Sequence, residues 1–206
     1  MNDEAAAFQS LIRSRRSIRR YQPQPVRADV LQRVLEAATW APSAHNRQPW
    51  RLLVLTEPAQ REALAGRMGD LLRAARTADG DDPGDIEGDV SRSYNRIAGA
   101  AAAIVVFLTM EDMDTYPDAR RSHAEELMAV QGAAMATQNL LIAAHAEGLG
   151  ACWMCAPLFC QAEVGAALGA PGHWQAQALV TLGYPASKGQ PATRHPLADV
   201  TFEPPQ

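Results

Sequence analysis

The stretch Ala41-Pro42-Ser43-Ala44-His45-Asn46-Arg47-Gln48-Pro49-Trp50 is the part of this chain from which the fold is read. Ahead of it, Val30, Leu31, Val34, Leu35 and Ala38 recur at helical spacing. Pro42 forbids that helix from continuing and biases Ala41 away from helical angles. Between the two prolines, Ser43, His45, Asn46, Arg47 and Gln48 all carry hydrogen-bonding side chains. An ordinary helix-to-strand connection is about two to six residues long and needs little more than one cap. Hydroxyl, imidazole and amide groups at this density suit a flat heterocycle with a polar tail. On composition alone, a well-capped surface turn is the alternative.

Upstream, Glu4 to Arg15 reads as a first helix with Phe8, Leu11 and Ile12 on one face. Its end delivers Arg13, Arg15, Arg16, Arg19 and Arg20 around Ser17. Guanidinium groups this close repel one another unless an anion sits among them. The guanidinium fork matches phosphate with paired hydrogen bonds, so this block is a candidate phosphate site. A solvated basic patch is the plainer reading.

The whole chain sets wide bounds. Its 206 residues suffice for a single domain, 1–206, with a large core. Apolar residues at 47% and charged residues at 20% are those of an ordinary globule. The net charge of −4 favours neither nucleic acid nor an anionic membrane as a partner. The N-terminus lacks the basic and apolar regions of a secretory signal, and the apolar run Ala98 to Met110 is too short to span a bilayer. Cys152, Cys155 and Cys160 are an odd set in an apolar setting, which reads as reduced thiols of a cytoplasmic protein. Cys152 and Cys155 form a Cys-x-x-Cys pair, so a thiol redox or metal role stays open. The histidines show no metal-ligand spacing.

Short apolar strands are expected at Arg51–Thr56, Ala102–Thr109, Ala151–Met154 and Gln175–Tyr184. Gln60–Thr77 and Gln161–Leu168 read as helices, and Ser122–Glu147 as a long one, apolar most of the way round and so buried on several sides. Its Gly and Ala content fits a subunit interface as well as a core. The acidic, Gly-rich stretch Ala78–Asp89 reads as a mobile flap or a plain solvated loop. Lys188–Gln206, rich in proline, reads as an extended arm able to wrap a second subunit. One long helix among short strands makes the fold class α+β.

Three landmarks occur in order: Arg15-Arg16-Ser17-Ile18-Arg19, Pro42 to Trp50, and Gly148-Leu149-Gly150 followed by Trp153. With them the chain, from about Phe8 to Phe202, resembles nitroreductase-family flavoproteins. That resemblance implies an α+β sandwich: a central, mostly antiparallel sheet flanked by helices, with the long helix at the interface of a homodimer. It implies FMN at each of two interface sites and NAD(P)H as donor. Hydride would pass to the flavin and then to a small organic acceptor of nitroaromatic, quinone or deazaflavin-precursor type, with no dedicated catalytic side chain. Arg15, Arg16, Ser17, Arg19 and the late Arg194 would hold the phosphate and ring edge. Pro42, Ser43, Ala44, Asn46 and Gln48 would come from the other subunit. Trp153, Met154, Cys155 and Ala156 would present main-chain donors to the ring.

Ala192 stands where many members have Lys, and Cys155 and Ala156 stand where many have Gly or Glu. Four stretches resemble more narrowly the flavin domain of the bifunctional deazaflavin-coenzyme glutamate ligase/reductase: Arg67–Asp70, Thr77–Gly80, Tyr116–Ala119 and Gly148–Met154. Two other readings fit the same landmarks, an oxygen-dependent flavin-fragmenting enzyme and a flavin-binding protein without turnover.

Overall fold

The computed structural model describes residues 2–204. Its sheet is built from β1 (Trp50–Leu55), β2 (Ala102–Leu108), β3 (Gly150–Met154) and β4 (Gln175–Gly183). The strands are antiparallel throughout, in the order β1-β2-β4-β3. β2 is buried along its whole length, as a central strand covered on both faces must be. Its side chains alternate: Ala102 and Ile104 turn to one face with Val180 and Leu182, Ala103, Val105 and Phe107 to the other with Leu179.

The first face is covered by α2 (Ala28–Thr39) and α5 (Ala119–Ala146), through Val34, Ala38, Leu140 and Ala144. The second is covered by α3 (Pro58–Asp79) and α6 (Gln161–Ala167), through Leu64, Met68 and Val164. This is the expected α+β sandwich, with α1 (Asp3–Ser14) lying outside it and burying none of its residues.

Two expectations change. The stretch 78–89 is no flap: α4 (Pro83–Ala98) begins inside it. Asp82 caps that helix, its carboxylate accepting from the Gly84 and Asp85 amides at 2.8 and 3.2 Å, with Pro83 at the first position. Arg73 binds Glu87 at 2.6 Å, and Arg76 binds Asp81 at 2.6 Å and also Asp89. The acids that suggested solvent are caps and ion pairs clasping α4 to α3.

The long helix also differs from expectation, being buried on one side only. Ala129, Gly132, Ala133 and Ala136 pack inward, while Leu127, Val130 and Met135 stay exposed. By length and composition alone α5 could cross a membrane, yet its inner side is packed on the sheet and α2. Beyond β4 the chain is irregular and exposed apart from the turn of α7 (Leu197–Val200). The last two residues of the expected arm lie outside the described ones.

Candidate active site

After α1 the chain runs along the free edge of β3. Ser17 pairs with Ala151, and the Ile18 amide donates to the Ala151 carbonyl at 2.9 Å. Tyr21 anchors the far end: its hydroxyl donates to the Ile18 carbonyl at 2.6 Å and lies 2.8 Å from Thr181 Oγ1. Gly150 makes this close docking possible, because a Cβ there would stand 2.6 Å from Ile18 Cβ. Gly189, at φ +75°, lays the C-terminal segment over the same place, where a Cβ would stand 2.7 Å from Arg16 Cβ. The segment it carries brings Arg194 to Arg15.

Arg15, Arg16 and Arg194 thus converge at one end of the edge. Among the described residues none of the three has a carboxylate partner. Burial holds the Arg15 guanidinium below its ordinary pKa, and the charges of Arg194 and Arg16 push it the same way. Arg16 also closes α1, its Nη1 donating to the Arg13 and Arg15 carbonyls at 2.6 and 2.9 Å. His145, from the end of α5, stands 2.9 Å from Ser14 Oγ, its pKa lowered by burial and then by Arg15 and Arg16. Arg19 and Arg96 approach the Cys152 thiol, which burial nonetheless pushes up.

Further along the edge, Trp153 packs its indole into the core on the α5 side, and Met154 packs into the opposite half. What this stretch offers outward is therefore main chain. The two-residue period of a strand turns the Trp153 amide the same way as Ala151, toward the free edge. Cys155 is exposed, and the amides of Cys155 and Ala156 find no backbone acceptor among the described residues. Arginines at one end and free amides at the other can hold an anionic tail and an electron-rich ring edge.

The proline-bounded loop is a second, separate element. His45, Asn46 and Gln48 all have positive φ, at 49°, 54° and 51°, a strained conformation for side-chain-bearing residues. The Gln48 amide donates to Ser43 Oγ at 2.9 Å, Arg47 pairs with Asp114, and Pro49 packs on Gly132. Ala44 starts a single 3₁₀ turn, and Pro42, Asn46 and Gln48 line an open cavity of about 550 Å³ beside the largely exposed Trp40.

The structure does not bring the two elements together within one protomer. The loop leads into β1 at one edge of the sheet, and the arginines lie at the β3 edge, three strand spacings or roughly 14 Å across. Along α5 they are set apart by Gly132 and His145, about 20 Å at 1.5 Å per residue. Sequence reasoning missed His145, Arg96 and Gly189. The first two sit on helices far along the chain, and only a positive φ distinguishes the third.

The comparisons agree with this architecture. A family model described as Nitroreductase family matches residues 12–184. A Thermus thermophilus protein named NADH dehydrogenase is 31% identical over 212 residues, covering 91% of each chain. A structure from Desulfovibrio desulfuricans, described as a nitroreductase in complex with FMN, is 31% identical and superposes with a TM-score of 0.75, covering 100% of this chain and 99% of its own. A BluB-like flavoprotein from Clostridium difficile shares the fold, with a TM-score of 0.78 at 21% identity over 96% of this chain and 99% of its own. The family match runs from within α1 to the end of β4 and takes in all three landmarks, and the chain belongs to the nitroreductase family.

Proposed function

We propose that this protein is an FMN-dependent oxidoreductase that passes reducing equivalents from NAD(P)H to a small organic acceptor. One observation carries the reading: among the described residues, the Arg15, Arg16 and Arg194 guanidiniums crowd together without a carboxylate, beside a strand edge whose amides find no backbone acceptor. The residues fit such a cofactor. Arg15, Arg16 and Arg194 would hold the phosphate, Ser17 the polar chain, Arg19 the ring edge, and the main chain of Trp153 to Ala156 the central nitrogens. Once bound, FMN supplies the two-electron chemistry, and the protein contributes position and field. Arg19 would set positive charge beside the ring edge, and the main-chain amides of Trp153 to Ala156, fixed by the strand, would donate to the ring without reorganising.

In this reading the protein is a homodimer. Pro42, Ser43, Ala44, Asn46 and Gln48 lie at the opposite sheet edge of their own protomer, so they would serve the second protomer's flavin. The exposed Leu127, Val130 and Met135 side of α5, with Phe8 and Ile12 of α1, gives an apolar surface for that contact. Deazaflavin precursors belong among the acceptors to be tried, because Arg67–Asp70, Thr77–Gly80, Tyr116–Ala119 and Gly148–Met154 resemble the ligase/reductase flavin domain. Three free thiols, two of them buried, suit a cytoplasmic setting.

The test is a titration of FMN and riboflavin against wild type and Arg15→Ala/Arg16→Ala, followed by flavin fluorescence. Two lost charge-assisted contacts at about 1.5–3 kcal/mol each weaken FMN by more than about a hundredfold. Riboflavin binds wild type as poorly as FMN binds the variant. Equal affinity of wild type for the two flavins refutes the phosphate role, and absence of NAD(P)H oxidation with a quinone acceptor refutes the activity.

A further inference from the structure

A second concentration of positive charge lies on the α4 side of the Arg19–Tyr21 segment. A cleft of about 540 Å³ is lined there by Arg19, Arg20, Tyr21, Arg92, Asn95 and Arg96, with no carboxylate among the described residues of its wall. Arg92 is paired with Asp89, whereas Arg19, Arg20 and Arg96 have no ion-pair partner among the described residues. The Asn95 side chain makes no hydrogen bond among the described residues, which leaves an amide donor beside the guanidiniums. Arg96 is half-buried on a helix clamped to α3, and with Arg19 it approaches Cys152 of β3. Arg15 acts on the same thiol from the other side, so Cys152 lies between the first site and this cleft.

Three unpaired guanidiniums around one cleft, with the Asp89-paired Arg92 beside them, repel one another unless an anion joins them, and forked donors on several sides match a phosphate better than a single carboxylate. We infer that this cleft is a second anion subsite, which holds a phosphate group of a co-substrate next to the flavin ring edge at Arg19. The inference rests on the proposed flavin site for its role. It stands on the cleft's own residues for its chemistry. The phosphate belongs either to the nicotinamide donor or to a phosphorylated acceptor.

Arg92→Gln/Arg96→Gln leaves Arg19 and the first arginine group intact. In calorimetric titrations of the flavin-loaded protein, pyrophosphate binds wild type and binds the variant about tenfold or more weakly, the effect of losing the one charge-assisted contact of the unpaired Arg96, Arg92 being already held by Asp89. In turnover, KM for NADPH rises by a similar factor at nearly unchanged kcat, while N-benzyl-dihydronicotinamide, which has no phosphate, is unaffected; this assigns the subsite to the donor. A rise confined to para-nitrobenzyl phosphate, absent for para-nitrobenzyl alcohol, assigns it to the acceptor. Arg20→Gln, at an exposed position, shifts the same quantities in the same direction by less. Equal pyrophosphate affinity in wild type and both variants overturns the subsite, as do equal shifts for phosphorylated and neutral partners. If the protein takes up no flavin, pyrophosphate titration of the apoprotein in an Arg15→Ala/Arg16→Ala background, with and without Arg92→Gln/Arg96→Gln, still reads the cleft, so failure of the flavin proposal is seen separately.

Discussion

Gly150→Ala asks whether the arginine segment is held to β3 as tightly as the geometry requires. The added Cβ would lie 2.6 Å from both Cβ and Cγ2 of Ile18. Carbon atoms settle at about 3.5–4.0 Å, so the segment must retreat by roughly 1 Å. The Ile18 amide, now 2.9 Å from the Ala151 carbonyl, would then leave hydrogen-bond range. Overpacking costs about 1–3 kcal/mol, the lost bond about 1, and the stiffer unfolded chain returns about 0.4–1. The expected net destabilisation is about 1–3 kcal/mol, read as a lower urea midpoint at unchanged slope. FMN affinity should fall further than stability, because Arg15, Arg16, Ser17 and Arg19 all hang on the displaced segment. Gly165→Ala is the contrast: nothing lies within 4 Å of its added Cβ, and a helical alanine gains about 0.5–1 kcal/mol. A Gly150→Ala protein with the wild-type midpoint and wild-type FMN affinity would refute the docking argument.

Other consequences can be measured directly. Asp82→Ala removes the α4 cap and should cost about 1 kcal/mol in urea denaturation, where a true loop would show no change. Leu140→Ala, at a fully buried position between α5 and the sheet, should cost about 2–5 kcal/mol in the same assay. Met135→Glu puts a charge on the exposed side of α5, and sedimentation should show monomers that have lost their flavin; a flavin-loaded monomer would count against the interface. Burial, Arg15 and Arg16 lower the folded-state pKa of His145, so its contribution is complete above the ordinary imidazole pKa of about 6.5. Below that value the unfolded chain takes the proton first and stability declines. His145→Gln should remove this acid-side component from the stability profile, and phosphate bound at Arg15 should raise the His145 pKa in an NMR titration.

The sheet and its flanking helices could be read from the chain because each rests on a local pattern. The run Ala102 to Leu108 is apolar without alternation, and only a strand covered on both faces needs that. The proline at position 42 marks the end of α2, at Thr39, to within three residues. The stretch 78–89 failed for a reason composition cannot show. Asp82 as a cap, and Asp81, Glu87 and Asp89 as partners of Arg73 and Arg76, look the same in sequence as acids facing water. The α5 reading was overstated for a similar reason: an apolar composition most of the way round does not say which sides are packed, and the Leu127, Val130 and Met135 side is exposed.

Arginine density alone was equally ambiguous, and three-dimensional pairing is what separates its meanings. Arg27, Arg33, Arg73, Arg76 and Arg121 each sit on a carboxylate at exposed or half-exposed positions, where such pairs contribute about 0–1 kcal/mol. Arg15, Arg16, Arg19, Arg96 and Arg194 belong to a protein with more acids than bases, yet they gather along one strand edge where no carboxylate among the described residues answers them. Mutual repulsion there lowers stability, and burial around Arg15 strengthens the repulsion. Ligand binding is the condition under which such an arrangement becomes favourable. Added phosphate should therefore raise the unfolding midpoint of the flavin-free protein. In Arg15→Ala/Arg16→Ala the same phosphate should do much less, while the variant without phosphate should lose no more than the α1 cap that Arg16 supplies, about 1 kcal/mol. A variant that is markedly less stable in the absence of any anion would mean that these guanidiniums hold the fold together rather than wait for a ligand.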